Sequence, residues 1–205
     1  SPRLDADLLL GEILGHGRTW LRTWPETAVE DPLATRFREQ VARRAAGEPV
    51  AYLLGRTGFH AIDLAVSPAT LIPRPETETL VETALTVLAD AVRPRVVDLG
   101  TGSGAIAFAL ARERPGWTVT GIDRSPDALA VAAGNRRRLG LDAVGLVAGD
   151  WCAPLAREAF DLVICNPPYV AAGDPHLSRG DVRFEPRSAL VGGADGLDAI
   201  RYLAE

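Results

Sequence analysis

Over residues 1–50 the apolar positions recur at three- and four-residue intervals, which is the spacing of one helical face. LDADLLLGEILG places Leu4, Leu8 and Ile13 near one stripe and runs out in glycines. DPLATRFREQVARRAAGEP opens with Asp31 as a cap and Pro32 in the first turn. It sets Leu33, Phe37 and Val41 on one face and stops at Gly47 and Pro49. A small helical domain is expected over 1–50. From 51 to 70 the pattern changes: YLLGRTGFHAIDLAV reads as two β-like runs around a turn, a hairpin linker. PRPETETLVETALTVLADAV returns to helical spacing, opened by Pro75 and acidic residues in the first turn.

After residue 95 strand-like and helix-like segments alternate. RVVDLG, TVTGID, AVGLVAGD and FDLVIC read as strands. GAIAFALARER and SPDALAVAAGNRRRLG read as helices, the second capped by Ser125 with Pro126 in its first turn. Such alternation predicts an α/β domain over 71–205, built on a mostly parallel sheet with helices on both faces. DGLDAIRYLAE reads as a helix cut midway, and no methionine opens the chain, so a piece of something longer is expected.

Composition narrows the chemistry. With 205 residues, 47% of them hydrophobic, and a formal charge of −5, the chain is long enough for one full domain and a small second one. All 22 positive charges are arginine, which removes Schiff-base chemistry and a Walker A phosphate loop, since both need a lysine amine. Cys152 and Cys165 are too few for a disulfide framework, and His16, His60 and His176 are scattered, so no metal centre is expected. No apolar run approaches a membrane span. A cytoplasmic monomer without direct nucleic-acid contact is the expectation, because duplex binding favours a basic face. The densest basic run, Arg136, Arg137 and Arg138, falls in the last turn of a helix, where cations complement the dipole.

DLGTGSG lies between the first strand of the sheet and its helix. Glycines there let the backbone turn sharply and approach a ligand closely. Asp123 ends the second strand, at the spacing where a carboxylate accepts from ribose hydroxyls. The stretch also fits a loose GxGxxA, so a nicotinamide oxidoreductase is a rival at this point. Two features tilt the reading. Asp98, just before the glycines, suits the cationic amino group of a methionine moiety and would repel a pyrophosphate. Asp150 and Trp151, after the third strand, offer an acceptor for an adenine amine and a ring to pack near it, although Trp151 taken alone fits core packing as well. Together Asp98, Gly100, Thr101, Gly102, Ser103, Gly104, Asp123, Asp150 and Trp151 describe a pocket for S-adenosyl-L-methionine, leaving S-adenosyl-L-homocysteine as product.

Asn166-Pro167-Pro168-Tyr169 follows FDLVIC. An amide or aromatic amino nitrogen is a poor nucleophile because its lone pair is delocalised. It must be held in line with a sulfonium methyl while its N–H protons are accepted. The side-chain oxygen of Asn166 and the backbone carbonyl of Pro167 can do this. The prolines stiffen the turn and bring no competing N–H, and Tyr169 offers a wall for a planar group. No general base is needed before attack, so catalysis is positioning and preorganised dipoles.

These residues resemble the release factor glutamine N5-methyltransferase family, and the resemblance covers nearly the whole chain. It is carried by SPRLDADLLL, RRAAGEPVAYLLG, SPATLIPRPETETLVE, VVDLGTGSGAIA, GDW, NPPYV and DPHLSRGDVRFEPRSALVGGADGL. NPPY is shared with many amino-methylating enzymes; LIPRPETE before DLGTGSG and GDVRFEP after NPPY are far more specific. The resemblance implies a class I methyltransferase fold with strand order 3-2-1-4 in the part present, normally continued by three further strands. It implies cofactor contacts at residues 100–104, Asp123, Trp151 and Asn166, and substrate glutamine contacts at Asn166, Pro167, Pro168 and Tyr169. It also implies a helical domain that grips a peptide chain release factor carrying the GGQ motif. Glu76 and Glu78 suit a helix start on dipole grounds alone, and Arg74 can pair with one of them. The alternative reading has this segment line the methionine end of the cofactor and the glutamine entry. Asp181, Arg183 and Glu185 are expected to order the loop flanking the site. An adenine-N6 methyltransferase acting on DNA or RNA is the rival, since the same acceptor pair suits an exocyclic amine.

Overall fold

The computed structural model describes residues 1–156 and 159–204, which divide into two compact units, Ser1–Gly55 and Arg56–Glu205. In the first, α1 (Pro2–Leu14) starts at Ser1, whose hydroxyl accepts from the Leu4 N–H, and ends at Gly15 in the left-handed conformation. Then come α2 (Arg18–Thr23), α3 (Asp31–Ala45) and α4 (Val50–Leu54). Arg44 reaches from α3 to Asp5 of α1 at 2.7 Å. The buried apolar side chains are Leu9, Ile13, Tyr52 and Leu53.

Three local expectations change here. On α1 the stripe turns one residue, burying Leu9 and leaving Leu8 exposed, because the neighbouring helices choose which leucine faces inward. On α3, Leu33 and Phe37 are half-buried while Val41 is exposed, and Asp31 is the first helical residue after an N-cap at Glu30. The residues YLL, read as the first run of the hairpin, are instead helical in α4, with Gly55 as the left-handed cap that ends the turn.

In the second unit β1 (Arg56–Phe59) and β2 (Ile62–Ala65) form an antiparallel hairpin. Its turn places His60 at φ 51°. A 3-10 turn, Pro75–Thr77, leads into α5 (Glu78–Val87). The sheet follows as β3 (Arg95–Leu99), α6 (Ala105–Glu113), β4 (Thr118–Asp123), α7 (Pro126–Leu139), β5 (Gly145–Ala148) and β6 (Leu162–Cys165), ending with α8 (Arg187–Leu190) and α9 (Asp198–Leu203). All three strand pairings are parallel, and the order β5-β4-β3-β6 is the expected 3-2-1-4.

Helices lie on both faces as expected, α5, α6 and α7 on one and α9, through Leu203, on the other. Parallel crossovers are right-handed, so stepping from β3 to β4 to β5 keeps α6 and α7 on one side of the sheet. There Val96, Val119 and Ile164 share a core with Val81 and Ala84 of α5, the whole inner face of α6, and Phe59, Ile62 and Leu64 of the hairpin. The return to β6 crosses the opposite face, where Val97, Leu99 and Ile122 meet Trp151, Leu155, Phe160 and Leu203. Among the described residues that crossover carries no helix, and Val163 stays half exposed.

Asn135 ties these parts together. It is fully buried on α7. Its Nδ2 donates to the carbonyls of Ala65, at 3.0 Å, and Ser103, at 2.9 Å. Its Oδ1 accepts from the Ala65 N–H at 2.7 Å and from Arg138 at 3.0 Å. One side chain therefore joins the hairpin to the glycine loop. Asn135→Ala leaves several of these groups unsatisfied inside the protein. The expected loss is about 3 kcal/mol of unfolding free energy, read as a lower urea midpoint at unchanged slope.

Candidate active site

The strand order reverses at β3, between β4 and β6, and ligands of open α/β sheets bind where such a reversal parts the loops. A cleft of about 960 Å³ opens there. Its walls include Asp98, Gly100, Thr101, Gly102, Ser103, Asp123, Asp150, Trp151, Asn166 and Pro168, so most of the residues singled out from sequence converge on it.

The cradle is built on β3. Both Gly100 and Thr101 donate their N–H to the Ile122 carbonyl at 2.9 Å, which folds the chain back against β4. Gly100, Gly102 and Gly104 all have positive φ. At Gly104 the need is also spatial: a Cβ would lie 2.0 Å from the Phe108 ring. Gly104 packs beneath the loop and is absent from the cleft wall.

Asp98 is 1% exposed. Its Oδ2 accepts from the Thr101 hydroxyl at 2.6 Å and from the Ala107 N–H at 3.3 Å, while Oδ1 is buried without a partner. Burial pushes its carboxyl up to about 7, helped by the charge of Asp123 and opposed by those two hydrogen bonds. An unsatisfied carboxylate oxygen at a cleft wall is a vacancy for a cationic donor. Asp123 accepts from the Gly102 N–H at 2.8 Å and from the Ser125 N–H at 2.9 Å, so it holds the loop shut from the β4 side. A carboxylate has about four acceptor sites, and the two remaining suit a pair of hydroxyls. Trp151 sits at φ 47°, a strained conformation for a bulky residue, and its ring lies 6.2 Å from that of Tyr202.

The register pairs Leu99 with Cys165, so Asn166 emerges beside Gly100. Its Nδ2 donates to the Thr77 hydroxyl at 3.4 Å. Pro168 lines the cleft; Pro167 is half-buried and outside its wall. Tyr169 is 65% exposed and also off the wall. The loop is held from behind by residues 190–193: Val170 donates to the Leu190 carbonyl at 2.9 Å, and Gly192 donates to the Val170 carbonyl at 3.0 Å. A Cβ on Gly192 would fall 2.4 Å from the Pro168 carbonyl oxygen, so only glycine permits this approach.

Sequence reasoning paired Arg74 with Glu76 or Glu78, and the structure corrects this. Arg74 pairs with Glu185, whose carboxylate is fully buried and also accepts from the Ile72 N–H at 3.1 Å. Glu78 instead accepts from the His60 N–H at 2.8 Å. The long-range pair wins because a buried carboxylate demands a partner, whereas one at a helix start is served by water and the dipole. Leu71, Pro73, Thr77, Pro186, Ser188 and Ala189 also line the wall. LIPRPETE and GDVRFEP pointed to the neighbourhood, but no local spacing identified Thr77 or the residues after Glu185. Cys165 is no nucleophile, since burial and the charges of Asp98 and Cys152 push its thiol up to about 12. Among the described residues no cluster could hold a metal ion, and no helix is long and apolar enough to cross a membrane.

Residues 92–183 match a family described as methyltransferase domain, and residues 1–55 match the PrmC N-terminal domain. A release factor glutamine methyltransferase of Pseudomonas aeruginosa is 56% identical over 203 residues, covering 99% of this chain and 73% of that one. The protein of the same name from Escherichia coli (strain K12) is 45% identical over 206 residues, covering 100% and 74%. Among solved structures, the hMettl16 catalytic domain in complex with the MAT2A 3′UTR hairpin 6 aligns with a TM-score of 0.54 at 18% identity, over 84% of this chain and 61% of that one. That likeness concerns the fold alone. The identities to the bacterial proteins run through both the helical unit and the cleft-bearing unit, and the chain belongs to the release factor glutamine methyltransferase family.

Proposed function

We propose that the chain transfers a methyl group from S-adenosyl-L-methionine to the side-chain amide nitrogen of the glutamine in the GGQ motif of a peptide chain release factor. One observation carries the reading: the carboxamide of Asn166 stands in the same cleft as the partnerless Oδ1 of Asp98 and the glycine loop held by Asp123. The cleft suits a nucleoside bearing a cation. Asp98 would take the amino group of the methionine moiety, Asp123 the ribose hydroxyls, and Asp150 and Trp151 the adenine. A pyrophosphate over the glycine loop would meet the Asp98 carboxylate instead. That argues against a dinucleotide.

When bound, S-adenosyl-L-methionine supplies an electrophilic methyl on a sulfonium sulfur. The protein's own work is to hold the glutamine amide. Asn166 Oδ1 and the Pro167 carbonyl each accept one N–H of that amide, which draws electron density back to nitrogen and fixes its direction. Leu71, Pro73, Pro186 and Ala189 give the cleft an apolar wall, and contacts made beside such a wall are stronger than in open water. Tyr169, exposed at the surface, is placed to meet the incoming peptide before the amide enters. A net charge of −5 favours a protein partner over a nucleic acid, and the chain is taken to act as a monomer. Mass spectrometry of a GGQ-containing release factor peptide after incubation with cofactor tests the reading. A gain of one methyl on glutamine is expected; methyl appearing on adenine of an added oligonucleotide in its place would refute it.

Three further outcomes follow from the site. Asp123→Ala should weaken cofactor binding about tenfold or more by calorimetry, since it removes the ribose acceptor and unpins the Gly102 and Ser125 amides. Asn166→Ala should lower kcat by about 10²-fold or more while leaving cofactor affinity near wild type; Asn166→Asp, which keeps an acceptor, should lose less. Cofactor affinity should also depend on pH. Asp98 is neutral below its raised value of about 7 and cannot pair with an ammonium there; it ionises as pH rises. Affinity should therefore climb between about pH 5 and pH 7.5, while the ligand's α-amino group stays protonated. Asp98→Asn should bind more weakly and show a flat profile over that range, and a wild-type affinity constant across it would remove the ion pair.

A further inference from the structure

A carboxamide presents an acceptor at one end and a donor at the other, and the two ends have nearly the same shape. Only with Oδ1 toward the substrate can Asn166 accept an amide N–H; turned over, its NH₂ would face another NH₂. Asn166 lies one residue beyond the end of β6, so no sheet ladder fixes the side chain. Among the described residues its single side-chain hydrogen bond runs from Nδ2 to Thr77 Oγ1, at 3.4 Å. In this arrangement the nitrogen end is on Thr77, which also lines the cleft, and the oxygen end has no contact with it. A hydroxyl can donate as well as accept, so the Asn166 side-chain amide spectrum is what reads the orientation.

Thr77 is itself firmly placed. It closes the 3-10 turn Pro75–Thr77, and its N–H donates to the Arg74 carbonyl at 3.0 Å. The proline ring fixes φ at the start of the turn. The Arg74 guanidinium is held by Glu185, buried to 4% exposure, whose second oxygen accepts from Ile72 N–H at 3.1 Å. The turn is thus clamped by a carboxylate 111 residues further along the chain, and it meets Asn166 across 89. A hydroxyl on a β-branched side chain has few rotamers, so a clamped backbone also fixes the oxygen.

We propose that Thr77 is the positioning residue for Asn166, holding its carboxamide with Oδ1 toward the substrate nitrogen. The inference rests on reading Asn166 as an acceptor for the glutamine amide. Thr77 touches neither substrate nor cofactor in this role; it acts through Asn166.

Thr77→Val keeps the shape and removes the acceptor, and Thr77→Ser keeps the hydroxyl. With the full chain, cofactor and a GGQ-containing peptide, Thr77→Val should lower kcat about three- to tenfold, the range of one net hydrogen bond, with KM for peptide and Kd for cofactor unchanged. Thr77→Ser should restore most of the rate. In an Asn166→Ala background Thr77→Val should cause no further loss, since both changes remove the same aimed acceptor. Wild-type kcat in Thr77→Val, a serine variant as slow as the valine, or losses that multiply in the double variant would each overturn the assignment. The Asn166 side-chain amide pair in a ¹⁵N–¹H spectrum gives a readout that needs no turnover: it should move on Thr77→Val and stay near its wild-type position on Thr77→Ser. An amide pair unmoved by valine overturns the contact. If wild type itself fails to methylate the peptide, the reading of Asn166 as a glutamine acceptor falls, and this spectrum still decides whether Thr77 holds the amide.

Discussion

Asn135 uses all four of its hydrogen-bonding positions inside the protein, two on Ala65, one on Ser103 and one on Arg138. A fully buried amide that finds every partner is favourable; one that loses any of them is costly. The geometry of the loop around Ser103 is therefore tied to the hairpin and to α7 at once. From that tie the cradle extends outward: Asp98 and Thr101 lock the start of the loop, and Asp123 locks its middle through Gly102. The glycine loop is rigid because its polar groups are spoken for by distant elements, even though its own sequence is the most permissive in the chain.

Two buried carboxylates then divide the labour of the site. Glu185 is satisfied by Arg74 and the Ile72 amide, and so acts as a clamp between two walls of the cleft. Asp98 is satisfied on one oxygen only. Its ionised form is unfavourable in the empty protein, which is why burial lifts its carboxyl to about 7. Replacing both carboxylates by clamps of the Glu185 kind would give a more stable protein and a poorer site.

The sheet order sets where these parts meet. Because β4 and β6 flank β3, the loops after all three strands open in different directions and leave the cleft between them. Asn166 owes its position beside Gly100 to the register of β3 and β6, and its orientation to the Thr77 turn. The loop that carries it is backed by Gly192, which approaches the Pro168 carbonyl more closely than any residue with a Cβ could.

Sequence by itself was enough for the order of elements after residue 95 and the parallel sheet, because buried parallel strands and amphipathic helices leave periodic, local signals; the 3-2-1-4 order came from the family resemblance of its motifs. It also picked out Asp98, the glycines, Asp123, Trp151 and Asn166, since residues at strand ends of such a sheet must point toward one crevice. It misjudged YLL, where a helical turn capped by Gly55 and a short strand share the same apolar letters. It turned α1 by one residue, for only the neighbouring helices distinguish Leu8 from Leu9. The partner of Arg74, the four bonds of Asn135, the contact of Thr77 with Asn166 and the surface position of Tyr169 were decided by tertiary structure alone. The Arg74, Thr77 and Asn135–Ala65 contacts join groups 70 or more residues apart, Asn135 meets Ser103 across 32, and Tyr169 depends on which side of a loop faces water; no local period encodes a distance across the fold.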